Sequence, residues 1–239
     1  MKKTILIIMV LLTAAWAISA NAQIYFEDDF SNVNESEKKW VDLWGTWEFN
    51  GGEYRQTSGE ANAMSVVADD YWDEGWVEYT YEVRGKKTGG AEGFLIMFRC
   101  QGMMEPRGKP LRDHPPRMTE QERLEYWWNL GGWGNTRSQI EAWGGGTAGA
   151  HSNHTIATNE WYEIRIENRA DGYTLYLNDE MVAEMADATR GGVGRIGVAT
   201  WITQASYDDV MVYGPAGALS VDPSGKSAAM WGSLKEDRR

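Results

Sequence analysis

Residues 161–185 read WYEIRIENRADGYTLYLNDEMVAEM, and their period decides the fold. Apolar and polar residues alternate on either side of Asp171-Gly172, and a second turn signal follows at Asn178-Asp179. Period-2 alternation broken by residues that tolerate positive φ predicts antiparallel strands joined by tight hairpins. The same grammar extends outward in both directions. In GWVEYTYEVRG (75–85), Val77, Tyr79, Tyr81 and Val83 fall on one predicted face, with Trp76, Glu78, Thr80 and Glu82 on the other. That pattern predicts a half-buried antiparallel strand. GTWEFNGGEYRQT (45–57) predicts a hairpin turning at Asn50-Gly51-Gly52. EGFLIMFRCQ (92–101) is almost continuously apolar, as a strand buried on both faces would be. RIGVATW (195–201) and ASYDDVMVYG (205–214) close the pattern. Many short strands with little helical periodicity predict an all-β chain folded as a two-sheet antiparallel β-sandwich.

The ends of the chain differ in kind. MKKTILIIMVLLTAAWAISANA (1–22) carries two lysines, an apolar run and small residues before Gln23, which predicts a Sec-type signal peptide and a secreted or periplasmic protein. No cysteine follows the apolar run, so no lipid anchor is expected, and no later segment is long and apolar enough to predict membrane insertion. Residues 23–214 then form the predicted domain, and 215–239 a tail with a candidate short helix around Trp231 and Leu234. Residues 102–123, with four prolines and many charges, are expected to form a long surface loop.

Cys100 is the only cysteine, so core burial rather than an internal disulfide must supply stability. A net charge of -12 argues against nucleic acid and anionic membrane partners, which need a basic face. The aromatic balance is skewed, with 13 Trp and 11 Tyr against 5 Phe. Trp and Tyr pair an apolar face with a polar handle, which suits a polysaccharide or oligosaccharide ligand.

YWWNLGGWGNTR (126–137) concentrates that chemistry. Alternation separates Tyr126, Trp128 and Leu130 from Trp127 and Asn129, so both tryptophans of the pair cannot point into the core. Gly131, Gly132 and Gly134 leave the backbone bare around Trp133. Asn129, Asn135, Arg137 and Glu141 offer directed hydrogen bonds. Candidate ligand contacts are therefore Trp127, Asn129, Trp133, Asn135, Arg137 and Glu141, joined by Trp143 and Trp201. The competing reading is that every ring fills the core.

The strand set FEDDF, GTWEFNGGEYRQ, GFLIMFR, WYEIRIENRADGYTLYLND and GRIGVATWITQASYDDVMV resembles the concanavalin A-like lectin/glucanase superfamily, including its laminin-G-like and carbohydrate-binding jelly rolls. YWWNLGGWGNTRSQIE is similar to a segment in the non-catalytic jelly-roll regions of α-L-arabinofuranosidases. The resemblance implies a jelly roll that recognises plant-type glycans. The catalytic barrel of those enzymes has no counterpart in this sequence, so their hydrolytic activity is not carried over.

An enzyme reading needs two carboxylates roughly 5–10 Å apart. The Glu-x-Asp-x-x-Glu strand of the superfamily's glycosidases is missing, as are the arginine-glutamate motifs of its lyases and the asparagine-serine-glycine signature of its 3-keto-disaccharide hydrolases. Glu78 and Glu82 fit a solvated strand face, whereas Glu141 lies near the aromatic segment. His114, His151 and His154 fall in predicted loops, and His151-x-x-His154 has no third metal ligand spaced beside it. Asp28 and Asp29 near one end and Asp208 and Asp209 near the other are candidate ligands for one structural calcium ion, should the terminal strands lie side by side. Solvated acids on edge strands are the alternative. The sequence leaves three functions in play: a non-catalytic carbohydrate-binding domain, a small glycoside hydrolase, and a laminin-G-like protein-interaction module.

Overall fold

The computed structural model describes residues 23–101, 124–143 and 146–215. The expected signal peptide, the 102–123 loop and the tail after Pro215 lie outside the described residues. The chain opens with β1 (Ile24–Asp28), a short helix α1 (Val33–Lys39) and β2 (Trp40–Trp44). A hairpin of β3 (Trp47–Asn50) and β4 (Glu53–Gln56) leads to β5 (Ala63–Val67). Two longer strands follow, β6 (Tyr79–Gly90) and β7 (Phe94–Gln101), then β8 (Leu124–Gly131), β9 (Arg137–Trp143) and β10 (Gly149–Ser152). The last five are β11 (Trp161–Arg169), β12 (Gly172–Leu177), β13 (Glu180–Ala186), β14 (Arg195–Thr200) and β15 (Thr203–Tyr213).

These strands make two antiparallel sheets. Sheet I runs β13-β12-β11-β6-β15-β4-β3, with β1 also paired to β15, and sheet II runs β10-β9-β8-β7-β14-β5-β2. The expected sandwich is what forms. Two-residue turns set the hairpin registers: Asn50 pairs with Glu53 across Gly51-Gly52, and Leu177 with Glu180 across Asn178-Asp179. All four turn residues have positive φ, which suits the right-handed twist of the flanking strands. The third turn sits one residue earlier than the sequence suggests. Arg169 pairs with Gly172, so Ala170-Asp171 make the turn and Gly172 opens β12.

The inner faces supply the core. Tyr79, Tyr81 and Val83 of β6 pack against Phe94, Ile96 and Phe98 of β7, with Tyr126, Trp128 and Leu130 of β8 in the same cluster. Trp76 breaks the alternation, because β6 starts only at Tyr79 and the residues before it follow no strand phase. It is 3% exposed and packs against Tyr25, Phe26 and Tyr79, not on the face of Glu78. β7 is buried on both sides along nearly its whole length, as its apolar run requires, and Cys100 is buried with it.

One residue of that strand turns the wrong way for its chemistry. A register shift between Phe98 and Gln101 puts Arg99 at φ +52 and swings it inward, where it is fully buried. Its Nε donates to Asn168 Oδ1 at 2.6 Å, and its terminal nitrogens donate to the carbonyls of Asp187, Arg169 and Gly172 at 2.8–3.1 Å. The Tyr126 and Tyr173 rings flank the guanidinium at 5.3 and 5.1 Å. A planar fork with five N–H donors can satisfy such a site where a lysine cannot. Arg99 thus ties β7 of sheet II to the β11–β12 turn of sheet I and closes one end of the sandwich.

Candidate site on the outer face of sheet II

The two outer faces differ in chemistry. Sheet I presents ion pairs: Lys86 with Glu53 at 2.9 Å, Arg84 with Asp209 at 3.0 Å, and Arg165 with Glu167. Arg84 and Lys86 also cover the Trp161 ring, at 4.6 and 4.2 Å. This is a solvated, self-neutralised surface. Sheet II instead carries Leu43, Met64, Val66, Leu95, Met97, Trp127 and Ala199 as a second apolar cluster outside the core.

Register arranges the sequence-selected residues on that face. One row runs Val66, Gly197, Met97, Trp127, Glu141 across β5, β14, β7, β8 and β9. The next row runs Met64, Ala199, Leu95, Asn129, Gln139. Trp127 is therefore floor rather than platform, at 3% exposure. Asn129 is buried and donates from Nδ2 to Glu141 Oε1 at 2.9 Å, while Asn129 Oδ1 and Gln139 Oε1 have no partner among the described residues. Buried acceptors left open in this way cost about 1–3 kcal/mol each unless a ligand or water fills them. Gln139 was not singled out from the sequence, although its alternation with Arg137 and Glu141 along β9 places it on this face.

The β8–β9 turn stands at the end of those rows. Trp133, Gly134 and Asn135 all have positive φ, at +51°, +70° and +61°. A tryptophan held in the left-handed region costs free energy and needs support from its surroundings. Asn135 gives that support: its Nδ2 donates to the Ile156 carbonyl at 2.9 Å and its Oδ1 accepts from the Ile156 N–H at 2.7 Å. Asn135 is occupied as a clamp. Gly134 N–H donates to Glu92 Oε1 at 3.1 Å, and Thr136 Oγ1 donates to the Trp133 carbonyl at 2.9 Å. The result is an indole 38% exposed, with the Arg137 guanidinium 4.2 Å from its ring centroid. Trp201, just past β14, is half-buried against the apolar cluster at the same end of the sheet. Trp143 ends β9 opposite Glu125, and its side chain lies outside the described residues.

No protein-family model matches the chain. An extracellular exo-α-L-arabinofuranosidase of Streptomyces chartreusis is 31% identical over 165 residues, which is 68% of this chain. The chain spans only 17% of that enzyme's length. Among solved structures, carbohydrate-binding module CBM66 of Bacillus subtilis superposes with a TM-score of 0.54 at 17% identity, covering 73% of this chain and 95% of the module. A galectin-like protein of unknown function from the same organism gives 0.59 at 13% identity, covering 81% and 96%. The laminarinase catalytic domain of Thermotoga maritima gives 0.54 at 11% identity, covering 82% and 99%. The fold is that of the concanavalin A-like jelly rolls.

Within this jelly roll the terminal strands do lie side by side, since Asp28 of β1 pairs with Val210 of β15. Their carboxylates do not gather. Asp28 is buried and accepts from the Phe30 N–H, the Ser36 hydroxyl and the Trp40 indole at 2.8–3.1 Å, and Asp29 accepts from the Ser31 N–H and hydroxyl. Arg84 lies against Asp208 and Asp209 at 3.5 and 3.0 Å. Among the described residues no group of three or more His, Cys, Asp or Glu is arranged to hold a metal ion. His151 sits on β10 rather than in a loop, and His154 Nδ1 meets the Ser152 hydroxyl at 2.8 Å.

Asp208 carries a pH prediction instead. Burial and the neighbouring Asp209 carboxylate push its carboxyl up to about 6. A carboxyl raised on folding costs stability that accrues as pH rises from about 4 through 6. Asp208→Asn is therefore expected to gain about 1 kcal/mol at pH 7 after allowance for solvent screening. Urea denaturation should show that gain vanishing near pH 4, and a variant equally stabilised at both pH values contradicts the assignment.

Proposed function

We propose that this protein is a carbohydrate-binding, lectin-like module that works outside the cytoplasm and holds a neutral glycan without cleaving it. The seat is the outer face of sheet II beside the β8–β9 turn. The observation that carries this reading is the Trp133 indole, held exposed in a strained conformation at the end of a row of orphaned amide acceptors. A flat indole covers the C–H face of a sugar ring, and Asn129, Gln139, Arg137 and Glu141 supply acceptors and donors for hydroxyls. The relative's name, an extracellular arabinofuranosidase, and the likeness to a carbohydrate-binding module support a glycan ligand.

The test is retention of the protein, lacking residues 1–22, on affinity gels cast with plant cell-wall and storage polysaccharides. Trp133→Ala is expected to weaken retention at least tenfold, about 1.4 kcal/mol. Unchanged retention removes the site from this face.

A hydrolase is the second reading, favoured by one feature that the sequence concealed. Glu125 and Glu141 lie diagonally on neighbouring strands of the same face, because Glu125 pairs with Trp143 and Trp127 with Glu141. Diagonal neighbours stand roughly 7–8 Å apart, inside the range of glycosidase carboxylate pairs. Released sugars in the same gels, lost in Glu141→Gln, would decide for this reading.

A further inference from the structure

Two hairpins of this chain turn on residues that accept positive φ, Gly51-Gly52 and Asn178-Asp179. The β14–β15 hairpin does otherwise. Its two turn residues are Trp201 and Ile202, and Ile202 sits at φ +49. A β-branched residue in the left-handed region is a steric outlier. The surroundings hold it there: its N–H donates to the Glu60 carbonyl at 3.1 Å, and a Cβ built on Gly90 would stand 2.6 Å from its carbonyl oxygen. The strained residue is nonetheless 49% exposed.

Among the described residues, Ile202 shares this combination with Trp133 alone. The other non-glycine residues at positive φ are Asn or Asp, or are buried, as Phe30, Arg99 and Ala150 are. Both turns stand at the same end of sheet II, since Ala199 of β14 pairs with Leu95 of β7 and Leu130 of β8 pairs with Phe94. Glu92 joins them: its N–H donates to Thr203 Oγ1 at 3.2 Å, and its Oε1 accepts from the Gly134 N–H at 3.1 Å. Strands β14 and β8 flank β7, so two interstrand spacings, roughly 10 Å, separate the two turns.

Two strained, exposed apolar side chains bridged by one residue point to ligand contact, because stability alone favours Gly or Asn at both positions. Their chemistries differ. The indole presents a flat π face to a sugar ring, whereas isoleucine has no such face and gains only by burying another aliphatic group. A neutral sugar offers that group as a methyl, carried by an acyl ester or a 6-deoxy carbon. We propose that Ile202 is a second contact of the glycan site and selects ligands with a methyl-terminated substituent, roughly 10 Å from the ring stacked on Trp133. This rests on the glycan reading of the outer face and adds a preference to it.

The experiment follows the Ile202 Cδ1 methyl and Trp133 indole N–H resonances of the protein lacking residues 1–22. Each is assigned by its loss in Ile202→Gly and in Trp133→Ala. The probes are O-acetylated xylo-oligosaccharides before and after alkaline removal of the esters, and fucosylated xyloglucan oligosaccharides before and after fucosidase treatment. A methyl-bearing probe is expected to shift both resonances saturably and to bind about fourfold tighter than its stripped form, the worth of one buried methyl. The acetyl pair and the fucosyl pair tell an ester from a deoxy sugar as the source. Ile202→Gly and Ile202→Asn should keep the fold, with no loss of urea midpoint, because both residues tolerate positive φ. Each is expected to abolish the preference while the Trp133 shift with the stripped probe remains. A Trp133 shift with an unmoved Ile202 methyl, or a preference that survives in both variants, overturns the inference and leaves the glycan site standing. If neither resonance moves with any probe, the outer-face glycan reading falls and this inference with it.

Discussion

Arg99→Ala is expected to lower unfolding free energy by about 3–5 kcal/mol, a large share of the roughly 5–15 kcal/mol typical of a folded domain. The loss is that large because the guanidinium is a hub. Removing it takes a donor from three backbone carbonyls and from the Asn168 side-chain oxygen at once, and it empties the space between Tyr126 and Tyr173. It also leaves the buried Asp187 carboxylate, 3.7 Å away, without its cation. Arg99→Lys should recover little, because an ammonium reaches only part of a fork-shaped set of acceptors. Urea denaturation measures both variants. A cost below about 1 kcal/mol for the alanine variant would mean that water replaces the guanidinium and that the β11–β12 turn is held by something else.

The second large effect separates the two tryptophans of YWWN. Trp128 is fully buried between the sheets, and Trp128→Ala is expected to cost about 3–5 kcal/mol through lost burial and the cavity left behind. Its indole N–H has no partner among the described residues, so Trp128→Phe removes no hydrogen bond and should cost far less. Glycan retention should survive in the phenylalanine variant, because the residue faces away from the outer surface. A phenylalanine variant as unstable as the alanine one would show that the indole N–H is satisfied after all.

The strands were readable because each half-buried one alternates, and because glycine or Asx residues mark the tight turns. Alternation also separated Trp127 from Trp128 correctly. It failed at Trp76, which lies just before β6 and therefore outside the strand's phase. A single-strand pattern says nothing of what sits across the next strand. Gln139 and Glu125 came into view only with registers. Arg99 was hidden for another reason: an arginine in an apolar strand reads as one more outward charge, and only the local shift at φ +52 turns it inward. Asn135 shows the opposite error. Its amide suits a sugar hydroxyl, yet it is already engaged with the Ile156 backbone.

The opposition between the two ends of the sandwich has a consequence for how this scaffold can change. Arg99 locks one end of β7, while the β8–β9 turn with Trp133 lies toward the other, where Phe94 begins the strand and pairs with Leu130. Five residue steps separate Arg99 from Phe94, roughly 17 Å of extended chain. Effects of mutations that far apart, with no shared partners, generally add. The exposed side chains of the β8–β9 turn are thus free to drift in sequence and retune its preference while the locked end keeps the two sheets in register. A library that randomises Trp133 and Arg137 and keeps Gly134, whose φ of +70° favours glycine, should therefore return mostly folded proteins with altered ligands, a separation of robustness from novelty built into the length of one strand.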